Sequence, residues 1–293
     1  MRKIPLIFSG IVAVIVLLVA CSKADTPATG GNVFTAVAAA FGTQIDLNNL
    51  ANYAAQTKPA YIVKDNTGNN PITNAKATLG RVLFYDKKLS IDNTISCASC
   101  HKQAFAFSDT ALISSGVAGG LTDRHSMRLV NERFGVEAKF FWDERAANLE
   151  SQTTQPIADH KEMGFSGQTG RANIAALLAK LQATDYYNEL FKFTYGDITV
   201  TEPRLQECLG QFIRSIQSFD AKYDVGRAQV NNDRQPFPNF TAQENTGKDL
   251  FLTPPVFDGN SSRIGGGLGC NGCHNAPEFD IDPNTRNNGV IAL

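Results

Sequence analysis

Two copies of one short pattern, Cys97-Ala98-Ser99-Cys100-His101 and Cys270-Asn271-Gly272-Cys273-His274, constrain this chain more than any other feature. In C-x-x-C-H two thiols stand a turn apart with an imidazole beside the second. That arrangement attaches a c-type haem: the thiols add to the haem vinyl groups and the imidazole binds iron. Other uses of paired cysteines fit less well. Zinc ribbons bring two C-x-x-C knuckles together at short spacing, whereas about 170 residues separate these two. A thioredoxin-type pair needs a βαβ setting, of which the sequence shows no sign. The pattern therefore predicts two covalently bound haem c groups. Cys97, Cys100, Cys270 and Cys273 are the attachment residues, and His101 and His274 the iron ligands.

The N-terminus gives an address. Met1-Arg2-Lys3 is a positive start and Ile4 to Ala20 an apolar run, the form of a secretory signal. The run closes on Leu18-Val19-Ala20-Cys21, which resembles a bacterial lipobox. The thiol of Cys21 would then carry lipid and anchor a periplasmic lipoprotein to a membrane. The other reading of the run is an uncleaved transmembrane anchor. Either places the folded part outside the cytoplasm, where c-type haem is attached. A net charge of -1 gives no sign of a nucleic-acid partner, and 43% apolar residues can fill real cores.

The rest reads as mainly α. Residues 22–57 are a Gly- and Ser-containing tether and an Ala-rich segment with helical character, and 58–72 are loop-like around Pro59, Asn66, Gly68 and Pro71. Thr73 to Tyr85 predicts a helix with Leu79, Val82, Leu83 and Phe84 on its apolar side, leading into the first motif. Gly116, Gly119 and Gly120 would let backbone pass close to a flat cofactor. Arg171 to Tyr195 shows helical periodicity throughout. Thr201-Glu202-Pro203 opens a helix whose apolar stripe includes Cys208, a buried hydrophobe by position. Residues 231–238 read as a linker, and Thr241 with Glu244 as a capping box. Residues 254–269 read as Gly-rich and irregular. The expected division is two cytochrome c-like units, 58–230 and 231–293.

Several further runs carry a family resemblance: Leu79-Gly80-Arg81-Val82-Leu83-Phe84, Phe141-Trp142-Asp143, Gln152, Pro156, Glu162-Met163, and Thr246-Gly247-Lys248-Asp249-Leu250-Phe251. With the two haem motifs, in this order and spacing, the stretch from Thr73 to His274 resembles the bacterial dihaem cytochrome c peroxidases and their tryptophylquinone-forming relative. The resemblance implies a peroxidatic N-terminal haem and an electron-transfer C-terminal haem. Hydrogen peroxide would be the substrate, and a small cytochrome c or cupredoxin the donor. It implies that Glu162 is the pocket carboxylate, with Gln152 and Pro156 beside it, and that Trp142 lies between the haems. A homodimer is a further expectation. Oxidation of a protein or organic substrate through high-valent haem, or plain electron carriage, are the alternative activities.

Three positions depart from that pattern. Val117 stands where peroxidases place a removable distal histidine, which implies an open first haem. His125 stands where the family has an Asn that helps hold calcium, and imidazole is a poor ligand for that hard cation. Glu144 replaces a glycine. Nineteen residues follow His274, and the three methionines are Met1, Met127 and Met163, so none can supply the distal methionine the family has there. The expectation is an incomplete C-terminal unit.

Overall fold

The structure is a computed structural model that describes residues 33–136 and 139–281. The leader, Cys21 and the residues after Ile281 lie outside the described residues, so the lipobox expectation is not addressed. No helix among the described residues is long and apolar enough to cross a membrane. The described residues from Phe34 to Ile281 pack as one unit.

Its helices are α1 (Thr35–Phe41), α2 (Asn74–Tyr85), α3 (Cys97–Cys100), α4 (Leu149–Ala158), α5 (Ile174–Gln182), α6 (Asp185–Tyr195), α7 (Glu202–Arg214), α8 (Lys222–Arg227) and α9 (Ala242–Leu252). Their starts follow from cap chemistry. The hydroxyls of Thr73, Thr201 and Thr241 accept from Lys76, Arg204 and Glu244 backbone N–H, each satisfying a donor that the first turn cannot. Glu244 returns the favour to the Thr241 N–H at 2.7 Å. The periodicity of 171–195 is in fact split. Ala183 and Thr184 leave the helix, and Thr184 is extended, so α5 and α6 are separate. An apolar stripe survives a two-residue break because both helices face the same core.

That core is built on α2 against α7. Leu79, Val82, Leu83 and Phe84 from α2 and Leu205, Cys208, Leu209, Phe212 and Ile213 from α7 are buried together. The helices touch at Gly80. A Cβ there would lie 2.0 Å from the Cys208 carbonyl oxygen and 2.8 Å from Phe212 Cβ. Only glycine permits that approach. A polar seam ties the pair to α4. The Gln211 amide donates to Asn70 Oδ1 (2.6 Å) and Asn70 donates to Glu150 Oε1 (2.8 Å). Arg214 pairs with Glu150 as well.

Residues 231–238 contain turns and no helix, yet they are anchored: Lys248 donates to the carbonyls of Asp233 and Gln235, and Arg227 pairs with Asp233. The region expected to be irregular at 254–269 instead holds an antiparallel hairpin, β1 (Pro255–Phe257) with β2 (Arg263–Gly266). A second short pair, β3 (His274–Asn275) with β4 (Asp280–Ile281), follows the second motif. Both are too short, and the first too exposed, to show alternation.

Candidate haem site at the first motif

α3 is one turn of helix that begins where the loop after α2 returns to the core. Ser99 Oγ accepts from the Ser96 N–H at 3.0 Å, and the His101 N–H donates to the Cys97 carbonyl at 2.9 Å. Cys97 and Cys100 therefore project from the same turn with His101 just beyond. Nδ1 of His101 lies 2.9 Å from the Phe107 carbonyl. A carbonyl only accepts, so Nδ1 carries hydrogen and Nε2 is the nitrogen that would bind iron; the Met127 backbone also lies close to the ring. Burial holds this imidazole below the usual histidine range, which favours the neutral, ligating form. Phe84, wholly buried, stands 6.5 Å from the imidazole, ring centre to ring centre.

Glu162 is reached from the motif through one loop. Cys100 Sγ lies 4.0 Å from the Ser115 carbonyl, and two residues on the Val117 N–H donates to the Glu162 carbonyl at 3.0 Å. A Cβ on Gly116 would lie 1.9 Å from the Lys161 carbonyl oxygen. This glycine lets the loop lie on the Lys161–Glu162 backbone; the flat neighbour expected from sequence is here a peptide. Val117 itself is buried. Burial lifts the Glu162 carboxyl to about 7, with Asp159 and Asp123 adding to the shift and Arg145 opposing it. Its side chain makes no hydrogen bond among the described residues, while its N–H donates to Asp159 Oδ1 at 3.0 Å. The carboxyl is felt at the motif: burial, then Cys100, then Glu162 push the Cys97 thiol up to about 12. Gln152 and Pro156 share one face of α4, and the Pro156 carbonyl accepts from the Met163 N–H at 3.2 Å. Pro156 thus backs the chain at Met163, the residue after Glu162.

Trp142 donates its indole N–H to the His125 carbonyl at 2.9 Å. Asp143 beside it accepts from Arg124 (2.5 Å) and Arg145 (2.8 Å). Burial would raise this carboxyl, but the two guanidinium groups outweigh it and bring it to about 2. Glu144 adopts φ +56°, the conformation glycine prefers, which accounts for the family's residue there. His125 and His160 are both engaged within the protein: His125 by Ser108 and Ala111, His160 by Ser166 at 2.9 Å.

The residues fit a haem at this site. Two thiols and an oriented imidazole would supply the thioether bonds and an iron ligand. Arg124 Nε is buried with no partner among the described residues, a donor suited to a haem propionate. The second motif offers the same thiols and imidazole with less support. Cys270–Gly272 is a 3₁₀ turn, Cys273 and His274 are exposed, and His274 pairs through its backbone with Ile281. Around it Leu268 is 61% exposed, Phe257 56% and Ile264 66%. Tyr223, Phe240, Phe251 and Phe279 line a cavity of about 230 Å³ nearby.

Residues 74–232 match the family described as di-haem cytochrome c peroxidase. The chain is 31% identical over 156 residues to methylamine utilization protein MauG of Methylophilus methylotrophus, covering 53% of this chain and 44% of that one. It is 28% identical over 201 residues to cytochrome c551 peroxidase of Nitrosomonas europaea, covering 69% and 52%. Among solved structures it resembles a MauG-like protein associated with microbial copper homeostasis, with a TM-score of 0.56 at 27% identity, covering 78% of this chain and 61% of that one. The chain spans about half the length of the curated relatives it matches.

Proposed function

The chain belongs to the di-haem cytochrome c peroxidase family, and we propose that it reduces hydrogen peroxide to water outside the cytoplasm, at a haem held by Cys97, Cys100 and His101. The family implies haem c cofactors and peroxidase-related oxidoreductase chemistry. The finer assignment rests on one observation: a half-buried carboxyl without a hydrogen-bond partner among the described residues, poised near neutral pH, close enough to the motif for both thiols to feel its charge.

Bound haem would supply the iron and electrons for O–O cleavage. The chain's own residues supply the rest. His101, oriented through Nδ1, would bind the iron through Nε2. Glu162 takes a proton from one peroxide oxygen and delivers it to the other, which leaves as water. Val117, apolar and buried, has no atom that could ligate iron. Trp142, whose indole N–H donates to the His125 carbonyl, would pass electrons between the haems. In this reading Cys270, Cys273 and His274 hold the second haem in a unit beginning near residue 231, which accepts electrons from a small donor protein, and Cys21 anchors the protein by lipid.

Oxidation of a protein or organic substrate is the second reading. It is favoured by Val117, which leaves the first site open without a removable ligand. Rapid mixing of the haem-loaded protein with peroxide tests the proposal. Glu162→Gln is expected to slow the haem spectral change by about 10² to 10⁴-fold. An undiminished rate in the variant would remove Glu162 from the chemistry. Turnover with reduced cytochrome then separates the two readings.

A further inference from the structure

His101 takes its orientation from the Phe107 carbonyl, and that carbonyl is held in an unfavourable loop. Ala106 and Phe107 both adopt left-handed backbone, with φ of +56° and +57°. Residues with a Cβ adopt this conformation only at a cost, because the Cβ crowds the following carbonyl. The loop would relax by rotating these peptides, carrying the Phe107 carbonyl away from His101. On one side it is fixed by the Lys102–Ser108 bridge, where the Lys102 N–H donates to the Ser108 carbonyl at 2.9 Å and the Phe107 N–H donates to the Lys102 carbonyl at 3.0 Å.

The other side is fixed by His125. Its Nδ1 lies 2.9 Å from the Ala111 carbonyl and its Nε2 3.1 Å from Ser108 Oγ. Ala111 O can only accept. Ser108 Oγ also lies 2.7 Å from the Ser126 carbonyl. The ring is therefore held at both ends, by the Ala111 carbonyl at Nδ1 and by the Ser108 hydroxyl at Nε2. The backbone carbonyl of the same residue receives the Trp142 indole N–H. Asp109 braces the far edge of the loop. Burial works against its charge, but Lys102, Ser114 and two backbone N–H groups hold it well below the usual carboxylate range.

We infer that His125 is a positioning residue that clasps the loop orienting the proximal histidine and couples it to the chain's single tryptophan. The route is continuous: His101 Nδ1 to Phe107 O, Phe107 to Ser108, Ser108 Oγ to His125 Nε2, His125 O to Trp142 Nε1. A shift of the ring moves the hydrogen-bond acceptors of both His101 and Trp142. This rests on the proposal that His101 ligates haem.

Resonance Raman spectra of the reduced, haem-loaded protein read both ends. The iron–imidazole stretch reports the His101 hydrogen bond, and the indole N–H band reports Trp142, which is the only tryptophan. His125→Ala is expected to lower or split the iron–imidazole band and to shift the indole band toward its free position. Ser108→Ala, which cuts the clasp on the loop side, should move the first band and leave the second. His125→Gln should restore part of the iron–imidazole shift. Loss of thermal stability with both bands unmoved would mean that the ring only fills space, and would overturn the inference. Should His125→Ala fail to load haem, an unmoved iron–imidazole band in Ser108→Ala would overturn it equally. A wild-type protein with haem only at Cys270–Cys273 would instead overturn the functional reading on which it stands.

Discussion

The motif at Cys97–His101 lies against a helix pair sealed by Gly80, with its imidazole oriented by Phe107 and its ring neighbour Phe84 wholly buried. The motif at Cys270–His274 carries the same residues on a 3₁₀ turn, with an exposed imidazole and exposed Phe257, Ile264 and Leu268 around it. Five residues suffice to attach a haem, but they do not determine what it does. At the first motif the fold adds an imidazole oriented through Nδ1 and, one loop away, a carboxyl raised by burial. At the second, the described residues add neither. The difference teaches that identical attachment patterns can sit in unlike surroundings, and that what distinguishes the first motif comes from residues of the 105–165 region.

Substitutions can break or sharpen that contrast. Phe84→Ala, beside His101, should cost about 3–5 kcal/mol in denaturant unfolding of the haem-loaded protein. Leu268→Ala beside the second motif should stay within about 0.5 kcal/mol. Similar costs at both would mean that the second motif is as embedded as the first. Gly80→Ala should cost about 1–3 kcal/mol, because the added methyl meets the α7 backbone and not a side chain that can swing away. A neutral result would show that the α2–α7 contact is looser than its geometry. Glu144→Gly should stabilise the protein by about 1 kcal/mol, since glycine adopts φ +56° without the Cβ penalty. A loss in unfolding midpoint would instead give weight to the 3.9 Å approach of Lys139 and Glu144.

Much of this was legible in the sequence. Haem attachment followed from spacing, and the starts of α2, α7 and α9 from Thr73, Thr201 and Thr241, because caps and apolar stripes are local signals. Cys208 lies buried, as its stripe position implied. What was not legible depends on contacts distant in sequence or on exposure. The α5–α6 break hides in a shared apolar face. The 255–266 hairpin leaves both faces wet and so shows no alternation. Gly116 reads as a cofactor-facing glycine until the Lys161 carbonyl is seen against it. His125 reads as a substituted calcium ligand, and its side chain finds Ser108 and Ala111 only in the fold. The raised carboxyl of Glu162 comes from burial and Asp159, which no single-residue signal carries.

The pH dependence of the peroxide reaction tests the central claim most directly. The Glu162 carboxyl is lifted to about 7, first by burial and then by Asp159. Above that pH it is a carboxylate and can take the peroxide proton; below it the site is already protonated and cannot. The bimolecular rate constant of the haem-loaded protein should therefore fall about tenfold for each pH unit below 7 and level off above it. The inflection should be missing in Glu162→Gln. A flat profile from pH 5 to 9 in wild type, or an inflection that persists in the variant, would contradict the assignment of acid/base chemistry to this carboxyl.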